Sequence, residues 1–208
     1  MQTKQYVITR GQLMRESTYK KIEDSWGYIR TEQLLAAGIT NRQIRNLVEE
    51  GELEKVCHGH YWVNKNACKK PKEYKAIEIC LSDPKAVVCA DSACFYLGLI
   101  RIEPSVFSVA TSRSDRSAIK MNFPTKRYYF SDSNFEGTQE IITTDFGIYK
   151  TFDIDRSVCD CIRFRRNIDT YIFDLIIDTY REKKDAQKKR LQAYASKLRM
   201  LNEVKNYF

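Results

Sequence analysis

Residues Tyr28–Val63, YIRTEQLLAAGITNRQIRNLVEEGELEKVCHGHYWV, contain two short helical patterns with a Gly between them, then an alternating run interrupted by His-Gly-His. Thr31 is placed to cap a first helix carrying Leu34, Leu35 and Ala37, and Gly38 supplies the left-handed residue that ends it. Thr40 and Gln43 stand at capping-box spacing and Ile39 and Ile44 at the spacing of a hydrophobic staple, so the second helix has a well-specified start. Ile44, Leu47 and Val48 form one apolar stripe at helical period, which turns Asn41, Arg42, Gln43, Arg45, Asn46 and Glu49 away from the core.

Helix, turn, helix and hairpin in that order predict a winged helix-turn-helix with residues 40–50 as its recognition helix. Arg pairs bidentately with guanine and Asn or Gln with adenine in the major groove, where such a helix presents its N-terminal residues. Thr40, Asn41, Arg42, Gln43, Arg45 and Asn46 are therefore the expected DNA-contacting set. Leu53–Cys57 and Tyr61–Val63, joined through His58-Gly59-His60, make the wing, with Lys55, His58 and His60 facing a phosphate backbone. A merely solvated surface helix is the plainer alternative, and the capping signals and the flanking hairpin weigh against it.

Outward from this stretch, Arg10–Asp24 reads as an opening helix with Leu13, Met14 and Ile22 turned inward. The polar, basic NKNACKKPK of Asn64–Lys72 is the expected linker. It separates a DNA-binding domain, 1–66, from a C-terminal domain, 72–208. The second domain opens with a helix from Glu73 to about Leu81, broken at Asp83-Pro84, and a helix starting near Asp91 carries Ala93, Cys94, Leu97 and Leu99. Val106–Thr111, Arg127–Ser131, Glu140–Thr143 and Gly147–Phe152 predict a small, largely antiparallel sheet. Helices follow from Asp153 to about Arg165 and from Ile168 to Tyr180. Leu191, Tyr194, Leu198, Leu201 and Val204 then trace an amphipathic seam, expected to pack on residues 168–180 as an α-hairpin. The fold class is α+β: a winged helix-turn-helix, then a mixed α/β domain with terminal helices.

The chain of 208 residues, 43% hydrophobic with a formal charge of +8, can bury a real core and favours acidic partners such as nucleic acid. Charge concentrates at the end: Arg181–Phe208 holds nine Lys or Arg against three Asp or Glu. That basic tail leaves RNA binding open as a rival, because phosphate affinity alone does not choose DNA. Seven cysteines without a CxxC pair, behind a polar MQTKQY start, fit a reducing cytoplasm. Cys57, His58, His60 and Cys68 lack the pairwise spacing of a structural zinc site, so neither metal nor cofactor is expected. No apolar run is long enough to span a membrane. P-loop, GxSxG, HExxH and GxGxxG patterns are all missing. The acidic-x-Lys triplets at Glu73, Asp83, Glu182 and Glu203 are what chance gives in a chain 30% charged, so no catalytic residue is expected.

Taken in order, Gly51-Glu52-Leu53 with His58-Gly59-His60-Tyr61, Asp91-Ser92-Ala93 with Leu97-Gly98-Leu99, and Ile154-Asp155-Arg156-Ser157-Val158-Cys159-Asp160 resemble the AbiEi-type antitoxins of type IV abortive-infection toxin-antitoxin systems. The resemblance covers about residues 10–180. Two positions depart from the family pattern: His58 stands where the wing usually has Arg, and His60 where it has an aliphatic residue. The resemblance implies a bacterial autorepressor that reads operator DNA of its own operon and serves as a phage-defence antitoxin through its C-terminal domain. Its functional partner is then a nucleotidyltransferase-like toxin, without a required direct complex. Asp155, Arg156 and Asp160 match the antitoxin-domain motif, although dipole and i, i+4 pairing account for them structurally as well. The rival reading is a winged-helix regulator with no toxin partner, sensing a ligand or protein through its second domain.

Overall fold

The computed structural model describes residues 6–9, 12–15, 27–64, 69–135, 139–182 and 185–208. They divide into two units, 1–74 and 75–208, each with its own apolar cluster. In the first unit, β1 (Tyr6–Thr9) and β2 (Gln12–Arg15) pair antiparallel, Val7 opposite Met14 and Ile8 opposite Leu13. This corrects the opening helix over residues 12–15. The aromatic and β-branched run Tyr-Val-Ile-Thr just before them supplies a strand partner that helical spacing alone overlooks. The rest of that expected helix, including Ile22, lies outside the described residues.

Strand β3 (Tyr28–Arg30) leads directly into α1 (Thr31–Ala36), and after Gly38, at φ +87°, α2 spans Asn41–Glu49. Strands β4 (Leu53–Cys57) and β5 (His60–Val63) close the hairpin, and the sheet runs β3-β5-β4, all antiparallel. Leu34 and Ile39 from the helices and turn, Ile44 and Leu47 from α2, and Ile29, Leu53 and Val63 from the strands make one buried cluster. Of the apolar residues of α1, Leu34 is fully buried, while Leu35 is 43% exposed. Two local expectations are corrected. Arg30 rather than Thr31 is the N-cap of α1, because the Thr31 amide donates to Gly59 O at 2.9 Å at the hairpin turn. His60 belongs to β5, opposite Cys57 and Arg30, so the turn itself is His58-Gly59 with Gly59 at φ +74°.

The second unit is a five-stranded sheet in the order β8 (Thr125–Phe130), β7 (Phe107–Ser112), β6 (Val87–Val88), β10 (Gly147–Phe152), β9 (Gln139–Thr144). The β9–β10 hairpin and the β6–β7 pair are antiparallel, while β7–β8 and β6–β10 are parallel. Helices α3 (Tyr74–Ser82), α4 (Ala90–Tyr96), the short α5 (Asp132–Phe135), α6 (Ile154–Arg163), α7 (Thr170–Arg181), α8 (Asp185–Lys197) and α9 (Leu201–Lys205) complete it. Every side chain of α6 from Asp155 to Ile162 is buried.

The basic C-terminal segment does pack, but chiefly on α6 rather than on α7. Cys159 Sγ donates to Leu191 O at 3.5 Å, and Tyr194 Oη donates to Asp153. Leu191, Ala195, Leu198 and Val204 are buried, while Lys189, Arg190, Lys197 and Arg199 stay exposed. Arg199, at φ +57°, breaks the segment into α8 and α9. Leu191→Ala removes a fully buried side chain at this contact and is expected to cost about 2–5 kcal/mol, read by denaturant unfolding.

Candidate nucleic-acid interface

Helix α2 is fixed before its polar face is. Thr40 Oγ1 accepts from Gln43 N at 3.3 Å, and Gln43 Oε1 accepts from Thr40 N at 2.9 Å and from Thr40 Oγ1 at 3.0 Å. The capping box closes as the spacing predicts, with Ile39 and Ile44 both buried beside it. Closure also occupies the Gln43 carbonyl, so a two-bond pairing with adenine competes with the cap. The same device recurs at α1, where Gln33 Oε1 accepts from Arg30 N at 2.8 Å.

Of the expected set, Thr40, Asn41, Arg42 and Arg45 are exposed, and Gln43 and Asn46 are half-buried. Arg42, Asn46 and Glu49 follow one another at i, i+4 and i+7 on the side opposite Ile44 and Leu47. Glu49, a carboxylate on that side, sits at the far end of the helix, away from the N-terminal residues. Lys55 and His58 are exposed on the hairpin, and His60 is half-buried with Nδ1 3.1 Å from His58 O and 3.6 Å from Cys57 Sγ. Sequence reasoning missed Arg30. It is exposed and lies opposite His60 in the sheet, a position readable from the alternation Tyr-Ile-Arg once β3 is known to pair with β5.

Of the imagined zinc set, Cys68 falls outside the described residues, and no group of three or more metal-ligating side chains occurs among the described ones. No helix among them is long and apolar enough to cross a membrane.

The second-unit motif residues occupy a different environment. Asp153 caps α6 by accepting from Arg156 N at 2.8 Å. Arg156 and Asp160 are both fully buried, with Nε 3.1 Å from each carboxylate oxygen. Arg156 Nη1 donates to Asn134 O at 2.9 Å, and the guanidinium lies over the rings of Phe152 and Phe130 at 4.4 and 5.0 Å. Burial pushes the Asp160 carboxyl up to about 6 against the opposing pull of Arg156. Asp155, also fully buried, accepts from Tyr180 Oη at 2.6 Å and pairs with Arg190 Nε at 2.6 Å. Burial, then that bond, raises the Tyr180 phenol far above its ordinary value. Asp91 and Ser92 do similar work at α4: Ser108 Oγ donates to Asp91 at 2.5 Å and Ser108 N donates to Ser92 Oγ at 2.9 Å.

Residues 18–63, which contain both helices and the hairpin, match a family described as transcriptional regulator, AbiEi antitoxin. Over this segment the chain is similar to the AbiEi-type antitoxins. The fold also resembles the crystal structure of the RV2827C protein from Mycobacterium tuberculosis, at 13% identity and a TM-score of 0.62, covering 89% of this chain and 75% of that one. No curated protein matches the chain. The AbiEi description brings antitoxin activity and transcriptional regulation together.

Two stability outcomes follow from this geometry. Thr40→Ala opens the capping box and is expected to cost about 1 kcal/mol. Asp160→Asn leaves the Arg156 charge buried without its partner and is expected to cost about 3–5 kcal/mol, whereas replacing both residues by Leu and Met recovers most of it. Equilibrium unfolding of the four proteins reads both outcomes.

Proposed function

We propose that the first unit is a winged helix-turn-helix that reads operator DNA of the chain's own operon, and that the chain represses that operon. The observation that carries this reading is α2 itself. Its apolar side is buried, its start is capped, and Arg42 and Arg45 project with Asn41 and Thr40 into solvent. A side chain held on a fixed helix reads a base edge without first losing the freedom of a loop. Lys55 and Arg30 on the adjoining strands and His58 in the hairpin turn supply phosphate contacts beside it.

The antitoxin effect we assign to the second unit, within a type IV system whose toxin is nucleotidyltransferase-like and needs no stable complex with this chain. Asp155, Arg156 and Asp160 serve that unit as an internal scaffold, since all three are buried and bonded to Tyr180, Arg190, the Asn134 carbonyl and each other. The chain itself acts by binding, in the cytoplasm, without catalysis of its own. A regulator lacking a toxin partner is the alternative, and an adjacent reading frame for a nucleotidyltransferase decides between them.

Arg42→Ala and Arg45→Ala are expected to cost about 1–3 kcal/mol each in binding to the DNA upstream of the gene if they read bases, and to relax one operator position apiece. Gel shifts across operator variants check this, and wild-type behaviour of both proteins would contradict it. The double variant is also expected to lose repression while still rescuing cells that express the toxin. Loss of rescue in a correctly folded variant would contradict the division of labour.

A further inference from the structure

At the end of helix α6 and just beyond it the chain runs Arg163-Phe164-Arg165-Arg166, and these residues line a groove of about 740 Å³ together with Ile162, Ile168 and Phe173. All three guanidinium groups are exposed, and none forms an ion pair among the described residues. Elsewhere in the unit, Lys75, Arg127, Arg156, Arg181 and Arg190 each sit within 4 Å of a carboxylate, Glu103, Asp115, Asp160, Asp178 and Asp155, whereas Arg113, Arg116 and Arg199 are exposed singly with no ion pair among the described residues. The carboxylate next along the chain, Asp169, accepts from Ile172 N at 3.1 Å as the cap of α7. Arg163 also acts at a distance on Asp160, whose own partner is Arg156.

Two of the three charges are positioned by rings. Arg163 lies over Phe130 and Phe164 at 5.9 and 5.8 Å, while Arg165 lies over Phe173 at 5.3 Å and donates to Tyr207 Oη at 3.1 Å. Arg166 has no polar partner among the described residues. Guanidinium groups match phosphate oxygens in a fork and keep their charge at any pH the chain meets. Three of them on one groove, none within 4 Å of a carboxylate among the described residues, make it a positively charged site suited to an anion. The groove far exceeds a bare phosphate and falls in the range of small-molecule sites, and its lining is more polar than apolar, as a phosphate-bearing ligand requires.

We propose that this groove binds the phosphates of a nucleotide, taken either as a free nucleoside triphosphate or as the terminal residue of a single strand. The groove uses none of the residues proposed to read DNA, and neither source contains duplex, so its failure leaves that reading untouched.

The test uses the full chain with two probes, a labelled nucleoside triphosphate and a short 5′-phosphorylated single strand, followed by fluorescence anisotropy. Wild type is expected to bind at least one of them tighter than about 1 mM. The variant R163Q/R165Q/R166Q is expected to weaken that binding by about tenfold or more. K189Q/K197Q/R199Q, which removes the same charge from exposed positions on the C-terminal helices, is expected to change it by less than about twofold. R166Q, whose guanidinium has no partner to lose, is expected to weaken binding by about threefold and carries the test if the triple variant melts early. Preference for the free triphosphate or for the strand identifies the source. Equal weakening by both triple variants, wild-type binding by R166Q, or no binding of either probe overturns the proposal.

Discussion

A helix of nine residues does not persist in water by its own hydrogen bonds, since isolated helices shorter than about 12–15 residues are marginal. Helix α2, Asn41–Glu49, therefore exists only because Ile44 and Leu47 are buried against Ile29, Leu34, Leu53 and Val63. The Thr40–Gln43 box ties down its first turn, and Glu52 N returns to Leu47 O beyond its last. Everything attributed to the exposed face depends on that burial. Arg42 and Arg45, the proposed readers, stand on a helix whose other side has nowhere else to go.

The second unit depends on the opposite arrangement. Helix α6 is buried all round yet carries Asp155, Arg156, Ser157 and Asp160, so its polar atoms must be satisfied within the protein. The partners come from distant parts of the chain: Tyr180 on α7, Arg190 on α8, the Asn134 carbonyl, and the rings of Phe130 and Phe152. A buried ion pair is weak support for stability as such, but removing one member is costly. The contacts of Asp155 with Arg190, Asp153 with Tyr194 and Cys159 with the Leu191 carbonyl are what join the basic C-terminal segment to this helix.

What the sequence revealed tracks the distance over which each signal acts. The start of α2, the Gly38 turn, the hairpin and the breaks at Asp83-Pro84 rest on residues within a few positions of each other, and the structure has them. Strands Phe107–Ser112, Thr125–Phe130, Gln139–Thr144 and Gly147–Phe152 lie within one or two residues of expectation. Hidden from the sequence were features that another part of the chain decides. The two residues of β6 become a strand only between β7 and β10. The seam Leu191, Leu198, Val204 announces a buried face without saying whose, and Arg190 selects Asp155 across 35 positions. Thr31 looked like a cap, but Gly59 takes its amide.

The central claim is that α2 enters the major groove of DNA. Methylation interference on the DNA upstream of the gene tests it most directly, because methylating guanine N7 blocks an acceptor that only the major groove presents. The account predicts that methylation at a few discrete guanines abolishes binding by the wild-type chain, and that Arg42→Ala or Arg45→Ala removes the interference at particular ones. Binding indifferent to guanine N7, or blocked only from the minor-groove side, would contradict it.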